Sequence, residues 1–290
     1  MKWPPPCAST MPSRFSVRRH RPLHMPAAPS PLPHGAFHRR IIVIPEPGRV
    51  RVAMEDESHC MEVTVLHDGQ RVIDIQPVMH RIPWSTCPGA PAKLKELVGL
   101  SLRRMNQSTG FDAKEHCTHL FDLTRLAMAR ALLNAPVQYD VAMPDRIDTE
   151  TRAEILRDGQ PLMAWDVRGW IVTGPDPFTG HALRGAPIWP QGIDDDTIEA
   201  ALILRRVFMV ALVREPNAAR SREKTDAGFP PGSQLRKAGI VGQCFSFQDD
   251  TIDQASLLFN WRNFAERRDQ LLTGYPGVRT IAEMAKAKAS

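Results

Sequence analysis

The chain has 290 residues, of which 42% are apolar and 24% are charged, so it can bury a core of ordinary size and is not a wholly disordered protein. No apolar stretch reaches the roughly 18 residues that a membrane helix needs, so we expect no membrane partner. Five cysteines are too few and too scattered for a disulfide scaffold, which predicts a cytoplasmic location with reduced thiols.

The net charge of +5 is unevenly distributed, because no acidic residue precedes Glu46. The basic residues ahead of it are Lys2, Arg14, Arg18, Arg19, Arg21, Arg39 and Arg40. Without these seven, 30 basic residues face 32 acidic ones, a net charge of −2. A nucleic-acid-binding domain normally carries its own basic surface, so we expect no nucleic-acid partner.

Residues 1–37 are rich in proline, arginine and serine and lack an apolar period. Such a segment cannot bury enough surface to offset the entropy of ordering, which predicts a disordered tail. We therefore expect one folded domain over residues 38–290.

The first half of that domain reads as an antiparallel meander. Residues 41–44 form a short apolar run, and residues 50–54 and 61–65 alternate apolar and polar side chains. Asp68-Gly69 predicts a tight hairpin leading to a strand around residues 73–75.

Helices and a second group of strands follow. We predict a short helix from about Pro91 to Gly99, and a helix opened by the Asp112/Glu115 pair that ends before Pro136. Alternating apolar and polar residues then predict strands over 137–143, 153–156 and 163–171. A helix is predicted from about 194 to 214 and a polar loop over 215–238. A short strand over 243–247 and a last amphipathic helix over 257–265 complete the prediction. No internal repeat of fixed period is present. Clustered strands separated by helices predict an α+β fold with antiparallel meanders packed against several helices.

Reactive side chains are concentrated between residues 56 and 122. Cys87 directly precedes a predicted helix, where backbone amides favour a thiolate, so it is a candidate nucleophile or metal ligand. The alternative is a small, buried and inert cysteine. We expect Cys87 to lie in a polar pocket with Cys117, His119 and His59.

Two further patterns point to a site. Cys117-x-His119 offers ligands that zinc prefers, and with Cys87 and Cys244 it forms a candidate metal set for zinc or iron, although no CxxC or HExxH motif accompanies it. Asp56-x-x-His59 places a carboxylate where it can orient an imidazole for general-base chemistry. Arg81 completes the candidate catalytic set of Cys87, His59, Asp56, Arg81 and His119, since guanidinium groups bind carboxylates and phosphates.

Three runs carry a resemblance to a known family: E-D-E-S-H at 55–59, R-I-P-W-S-T-C-P-G-A at 81–90 and C-T-H-L-F-D-L at 117–123. They resemble the bacterial domain of unknown function family 2889, and W-D-V-R-G at 165–169, L-R-R at 204–206 and G-Q-C-F-S-F at 242–247 extend the likeness. The resemblance implies a bacterial cytoplasmic protein and carries over no reaction. The order of a meander, a cysteine at a helix start, Cys117 and Cys244 is also similar to iron–sulfur scaffold proteins.

Two functions therefore remain open. The first is a small-molecule enzyme with a pocket centred on cysteine and histidine, with or without a metal, because clustered titratable groups often mark a site. The second is a zinc- or iron–sulfur-binding scaffold without catalysis. The sequence does not determine the reaction, the substrate or the oligomeric state.

Overall fold

The computed structural model describes residues 35–145, 149–211, 240–258, 260–273 and 283. The tail predicted for residues 1–37 lies outside this part except for its last three residues, and two of those, Ala36 and Phe37, already belong to the first strand. The polar loop predicted for residues 215–238 also lies outside the described residues.

The core of the fold is one eight-stranded antiparallel sheet. Its strands are β1 (Ala36–Glu46), β2 (Arg49–Glu55), β3 (Cys60–His67), β4 (Val72–Arg81), β5 (Val137–Pro144), β6 (Glu150–Arg157), β7 (Gln160–Arg168) and β8 (Ile171–Gly174). Their spatial order is β4-β3-β2-β1-β5-β6-β7-β8, so two four-stranded meanders meet where β1 pairs with β5. The predicted α+β class with antiparallel meanders is confirmed.

Each meander is followed by one α-helix. The helix α1 (Thr118–Ala131) packs on β1, β2 and β3, and α2 (Asp195–Ala211) packs on β5, β6 and β7. Ion pairs Arg206–Asp122 and Arg130–Glu199 join the two helices. The order of four strands and a helix thus occurs twice, although the sequence has no repeat of fixed period.

The alternating patterns in the sequence are explained by this arrangement. Val50, Val52 and Met54 of β2 are buried in the core that also contains α1. On the other face, Ile42, Ala53 and Cys60 pack with Leu272, so the C-terminal segment covers this part of the sheet. No helix among the described residues is long and apolar enough to cross a membrane.

Several predicted elements differ from the structure. The Asp68-Gly69 connection spans residues 68–71, because the Asp68 carboxylate accepts hydrogen bonds from the backbone N–H groups of Gln70 and Arg71 and holds a wider turn. Cys87–Leu97 forms a 3₁₀ helix instead of a helix starting at Pro91. Asp112 caps only the 3₁₀ turn Ala113–Glu115, and α1 begins after it.

The C-terminal predictions are wrong. Residues 243–247 form no strand but end in the 3₁₀ turn Phe245–Phe247. The helix predicted over 257–265 is absent from the described residues of that range, because its apolar side chains make separate tertiary contacts. Leu257 forms a bridge with Trp84, and the Phe264 ring packs under the guanidinium of Arg262.

Candidate functional site

The site begins at the turn between β2 and β3. The Asp56 carboxylate Oδ1 accepts hydrogen bonds from the backbone N–H groups of Ser58 (2.9 Å) and His59 (2.8 Å), which fixes this turn in the way aspartate commonly does. The turn places the carboxylate of Asp56 and the ring of His59 on the same side, against the sheet face that α1 covers.

Asp56 forms a buried ion pair with Arg39 of β1. The Asp56 Oδ2 atom accepts hydrogen bonds from Arg39 Nη2 at 2.5 Å and from Nε at 3.1 Å, and the side chains are 0% and 2% exposed. Burial opposes ionisation of Asp56, but the neighbouring His59 and Arg39 outweigh it and hold the pKa of this carboxyl well below its usual range. Asp56 is therefore a carboxylate at neutral pH.

This carboxylate also orients His59. The His59 Nδ1 atom lies 3.0 Å from Asp56 Oδ1 and 3.0 Å from the Ser58 hydroxyl. Because an ionised carboxylate only accepts hydrogen bonds, Asp56 favours the tautomer in which Nδ1 carries the proton. The Nε2 atom of His59 is then left as an acceptor.

His119 comes from the first turn of α1 and packs against His59, with ring centroids 4.0 Å apart and ring planes tilted by 34°. Its Nε2 atom lies 3.0 Å from Arg39 Nη2. A guanidinium only donates, so Nε2 of His119 accepts and the imidazole is neutral. Burial is the largest cause that holds the pKa of His119 well below its usual range; a proton on His59 would lower it further, as the charge of Arg39 does, in agreement with this geometry.

A small pocket adjoins the cluster between the sheet and the two helices. Arg39 and His119 form part of its wall, and Asp122 and Arg206 form another part. The remaining wall is apolar: Ile41, Met54, Met105, Leu123, Leu126, Leu202 and Ile203. Its volume is about 20 Å³, which is room for about one water molecule or one small chemical group.

Asp56, His59 and His119 are also the group of three potential metal ligands that converges in the described part of the chain. One ligand atom from each lies within 4.8 Å of the others. Arg39 donates to both Asp56 and His119, so its positive charge stands among these ligands. A divalent ion bound here would have to displace the guanidinium.

Arg81, predicted to be catalytic, is hydrogen-bonded to the backbone of the turn between β2 and β3. It donates to the carboxylate of the fully buried Glu55 at 2.9 Å and to the backbone carbonyls of Asp56 and His59. These contacts use both terminal nitrogens of the guanidinium, whereas Nε is buried without a hydrogen-bond partner. Arg81 is not part of the pocket wall, so it positions the site residues.

Cys87 lies elsewhere. It belongs to a separate apolar cluster with Trp84, Ile252, Ala255 and Leu257, and its Sγ lies 3.4 Å from the Ser246 hydroxyl. No hydrogen bond links it to His59 or His119 among the described residues. The expectation of a lowered thiol pKa is wrong: burial raises the pKa of Cys87, and the Ser246 contact only partly opposes this.

The other predicted thiol ligands are electrostatic neighbours of Cys87, and the Cys117 thiol also accepts a hydrogen bond from the backbone N–H of His119. Burial, followed by the Cys87 thiol, raises the pKa of Cys117 and of Cys244 to about 12. Cys117 is the residue before α1, whereas His119 is turned toward Arg39 and Asp56. The structure thus separates the predicted set of Cys87, Cys117, His119 and Cys244 into a thiol group and a histidine site.

Arg39 is the site residue that sequence reasoning missed, because it was counted as part of the basic tail. One pattern could have identified it. Phe37, Arg39, Ile41 and Val43 alternate along β1, and all four are buried. An arginine at a core-facing position needs a buried carboxylate.

Arg40, also counted with the tail, pairs with Asp140 of β5. Two of the seven basic residues ahead of Glu46 therefore belong to the fold.

Comparisons with known proteins give one match. The model of the family described as Protein of unknown function (DUF2889) matches residues 44–133, which include Asp56, His59, Arg81, Cys87 and His119. Neither the curated proteins nor the solved structures contain a match to the chain. Over residues 44–133 the chain is therefore similar to the DUF2889 family.

Proposed function

We propose that this protein is a small-molecule enzyme that transfers protons, with the Asp56–His59 pair and His119 as its acid–base centre. The observation that carries the proposal is the pair of packed histidine rings, held by a buried carboxylate and a buried guanidinium beside a pocket. Titratable groups with strongly shifted pKa values in a cleft are typical of active sites.

The division of roles follows from the contacts. Asp56 accepts a hydrogen bond from the Nδ1–H group of His59, which leaves Nε2 of His59 as the base. His119 stays neutral and, with Arg39, lines the pocket wall where a ligand would lie. A neutral imidazole and a guanidinium can donate hydrogen bonds to a carbonyl or carboxylate oxygen whose charge grows during proton abstraction.

The apolar part of the pocket supports a reaction in a dry environment. Seven apolar side chains lower the local polarity, which strengthens the electrostatic effect of Arg39 on a bound group. The small volume indicates that the reacting end of the substrate is a small group.

Exchange of carbon-bound protons in heavy water tests the proposal. We expect the protein to catalyse deuterium incorporation into at least one member of a mixture of small oxo-, hydroxy- and carboxylic acids, followed by proton NMR. His59→Gln should lower the rate by about 100-fold or more, the usual contribution of a positioned base. His80→Gln, at an exposed site on β4 paired with Glu62, is the control and should keep the rate. Absent exchange for every compound, or an unchanged rate in His59→Gln, would contradict the proposal.

Metal binding without catalysis is the second candidate, because Asp56, His59 and His119 present ligand atoms within 4.8 Å. Elemental analysis of the purified protein distinguishes it. One zinc or iron per chain that is lost in His119→Gln supports this candidate. If Cys87→Ser removes the metal instead, the thiol group is the metal site. In the natural chain the positive charge of Arg39 lies among the ligand atoms of Asp56, His59 and His119. Arg39→Gln removes this charge and should therefore bind metal more tightly than the natural chain.

A further inference from the structure

A group of arginines lies at and near the part of the pocket wall that Asp122 and Arg206 form. The side chain of Arg206 on α2 pairs with Asp122 on α1 at 2.6 Å, and both residues line the pocket wall. Arg103, Arg125 and Arg205 lie near this pair, and together with Arg206 they are called the arginine cluster.

Three members of the cluster have no carboxylate partner within ion-pair distance in the described part of the chain. Their side chains donate to backbone carbonyls only: Arg103 to Ser101 and Ser108, Arg125 to Met105, and Arg205 to Gly185. In addition, Nε of Arg205 is buried without a hydrogen-bond partner. Buried or half-buried guanidinium groups normally pair with an anion.

The members act on one another electrostatically. Burial lowers the pKa of Arg125, Asp122 opposes this, and the charges of Arg206 and Arg103 lower it further. Burial and then Arg206 likewise lower the pKa of Arg205. Arg125, Arg205 and Arg206 therefore share one carboxylate, that of Asp122.

The neighbouring charges at the start of α2 do not supply the missing anions. Asp195 and Asp196 lie within 4.0 Å of Arg104, and Asp196 also pairs with Arg157 at 2.7 Å. Two acids and two arginines balance there. Asp195 and Asp196 therefore form no ion pair with Arg103, Arg125 or Arg205.

We propose that the arginine cluster binds the charged end of a small polyanion, a phosphorylated or polycarboxylate molecule. Because Met105, Asp122 and Arg206 join the cluster to the wall formed by Arg39 and His119, an anion held here directs the rest of the molecule into the pocket. That an anion held here directs the rest of the molecule into the pocket rests on the proposed function. It assigns to that function a phosphorylated or polycarboxylate substrate. Guanidinium groups suit phosphate and carboxylate because they donate two parallel hydrogen bonds.

Isothermal titration calorimetry of the full chain with sodium pyrophosphate and with citrate tests the proposal. We expect at least one of the two anions to bind, and Arg125→Gln to weaken binding about tenfold, the effect of losing a hydrogen bond to a charged group. Arg152→Gln removes the same charge from β6, where Arg152 pairs with Glu154 and Asp166, and should leave Kd within about twofold. If Arg125→Gln does not fold, Arg103→Gln takes its place.

The outcomes separate the possible sources. Binding of pyrophosphate alone assigns a phosphorylated substrate, and binding of citrate alone assigns a polycarboxylate. Absence of binding to both, or equal weakening by Arg152→Gln, overturns the proposal. His59→Gln should retain anion binding while losing proton exchange, so failure of the arginine cluster and failure of the acid–base centre are distinguishable.

Discussion

Replacement of Asp56 by asparagine should destabilise the fold strongly. The change removes the charge that neutralises Arg39, which is 2% exposed and cannot reach water without disrupting β1. The amide that replaces the carboxylate would also present N–H donors or a weaker acceptor to a guanidinium that only donates. Breaking a buried pair by removing one partner costs about 3–5 kcal/mol, and we expect a loss of this size in the free energy of unfolding.

The neighbouring pair on the same strand is a matched control. Arg40 follows Arg39 on β1 and pairs with Asp140 at 2.7 Å, but these side chains are 14% and 26% exposed. Asp140→Asn should therefore lower the free energy of unfolding by about 1 kcal/mol or less. Urea unfolding followed by fluorescence measures the free energy of unfolding of both variants. Equal m-values would show that both expose the same amount of surface on unfolding. A loss in Asp56→Asn no larger than that in Asp140→Asn would refute the reasoning.

Three other predictions concern pH, thiol reactivity and packing. Stability should decrease as the pH falls below about 6.5, because the lowered pKa of His119 means that the unfolded chain takes up this proton first. His119→Gln should reduce this slope and His80→Gln should not, which unfolding at several pH values measures. Cys87 should stay unmodified by iodoacetamide at about pH 7.5 in the folded chain, as burial raises its pKa, and mass spectrometry of labelled peptides checks this. Gly89→Ala should lower the free energy of unfolding by about 1–3 kcal/mol, because a Cβ there would lie 2.9 Å from the Phe245 ring. An unchanged free energy of unfolding in urea would contradict this contact.

The strands were predictable because each buries one face. Alternation along Val50, Val52 and Met54 requires a core on one side, and the structure buries all three. The pairing of β1 with β5 was not predictable, because about 90 residues separate the two strands and nothing local specifies which edges meet. The helix predicted around Leu257 failed because its apolar residues are spaced like a helix face but contact different parts of the fold.

The candidate site was predictable in part. Asp56 and His59 are close in sequence, so their pairing could be inferred from spacing alone. The meeting of His119 with them depends on how α1 crosses β2 and β3, which spacing does not reveal. The prediction for Cys87 was wrong because a position before a helix suggests a thiolate, whereas in the structure burial is the largest effect on the thiol and raises its pKa.

The central claim is that Asp56 and Arg39 hold the two imidazoles in fixed states for proton transfer. Long-range ¹H–¹⁵N NMR of the histidine rings measures these states directly. We expect Nδ1 of His59 to carry a proton and His119 to be neutral, with an unprotonated Nε2, at about pH 6.5, where a free imidazole is half protonated. If His119 titrates near pH 6.5 like a free imidazole, or His59 carries its proton on Nε2, the claim is contradicted.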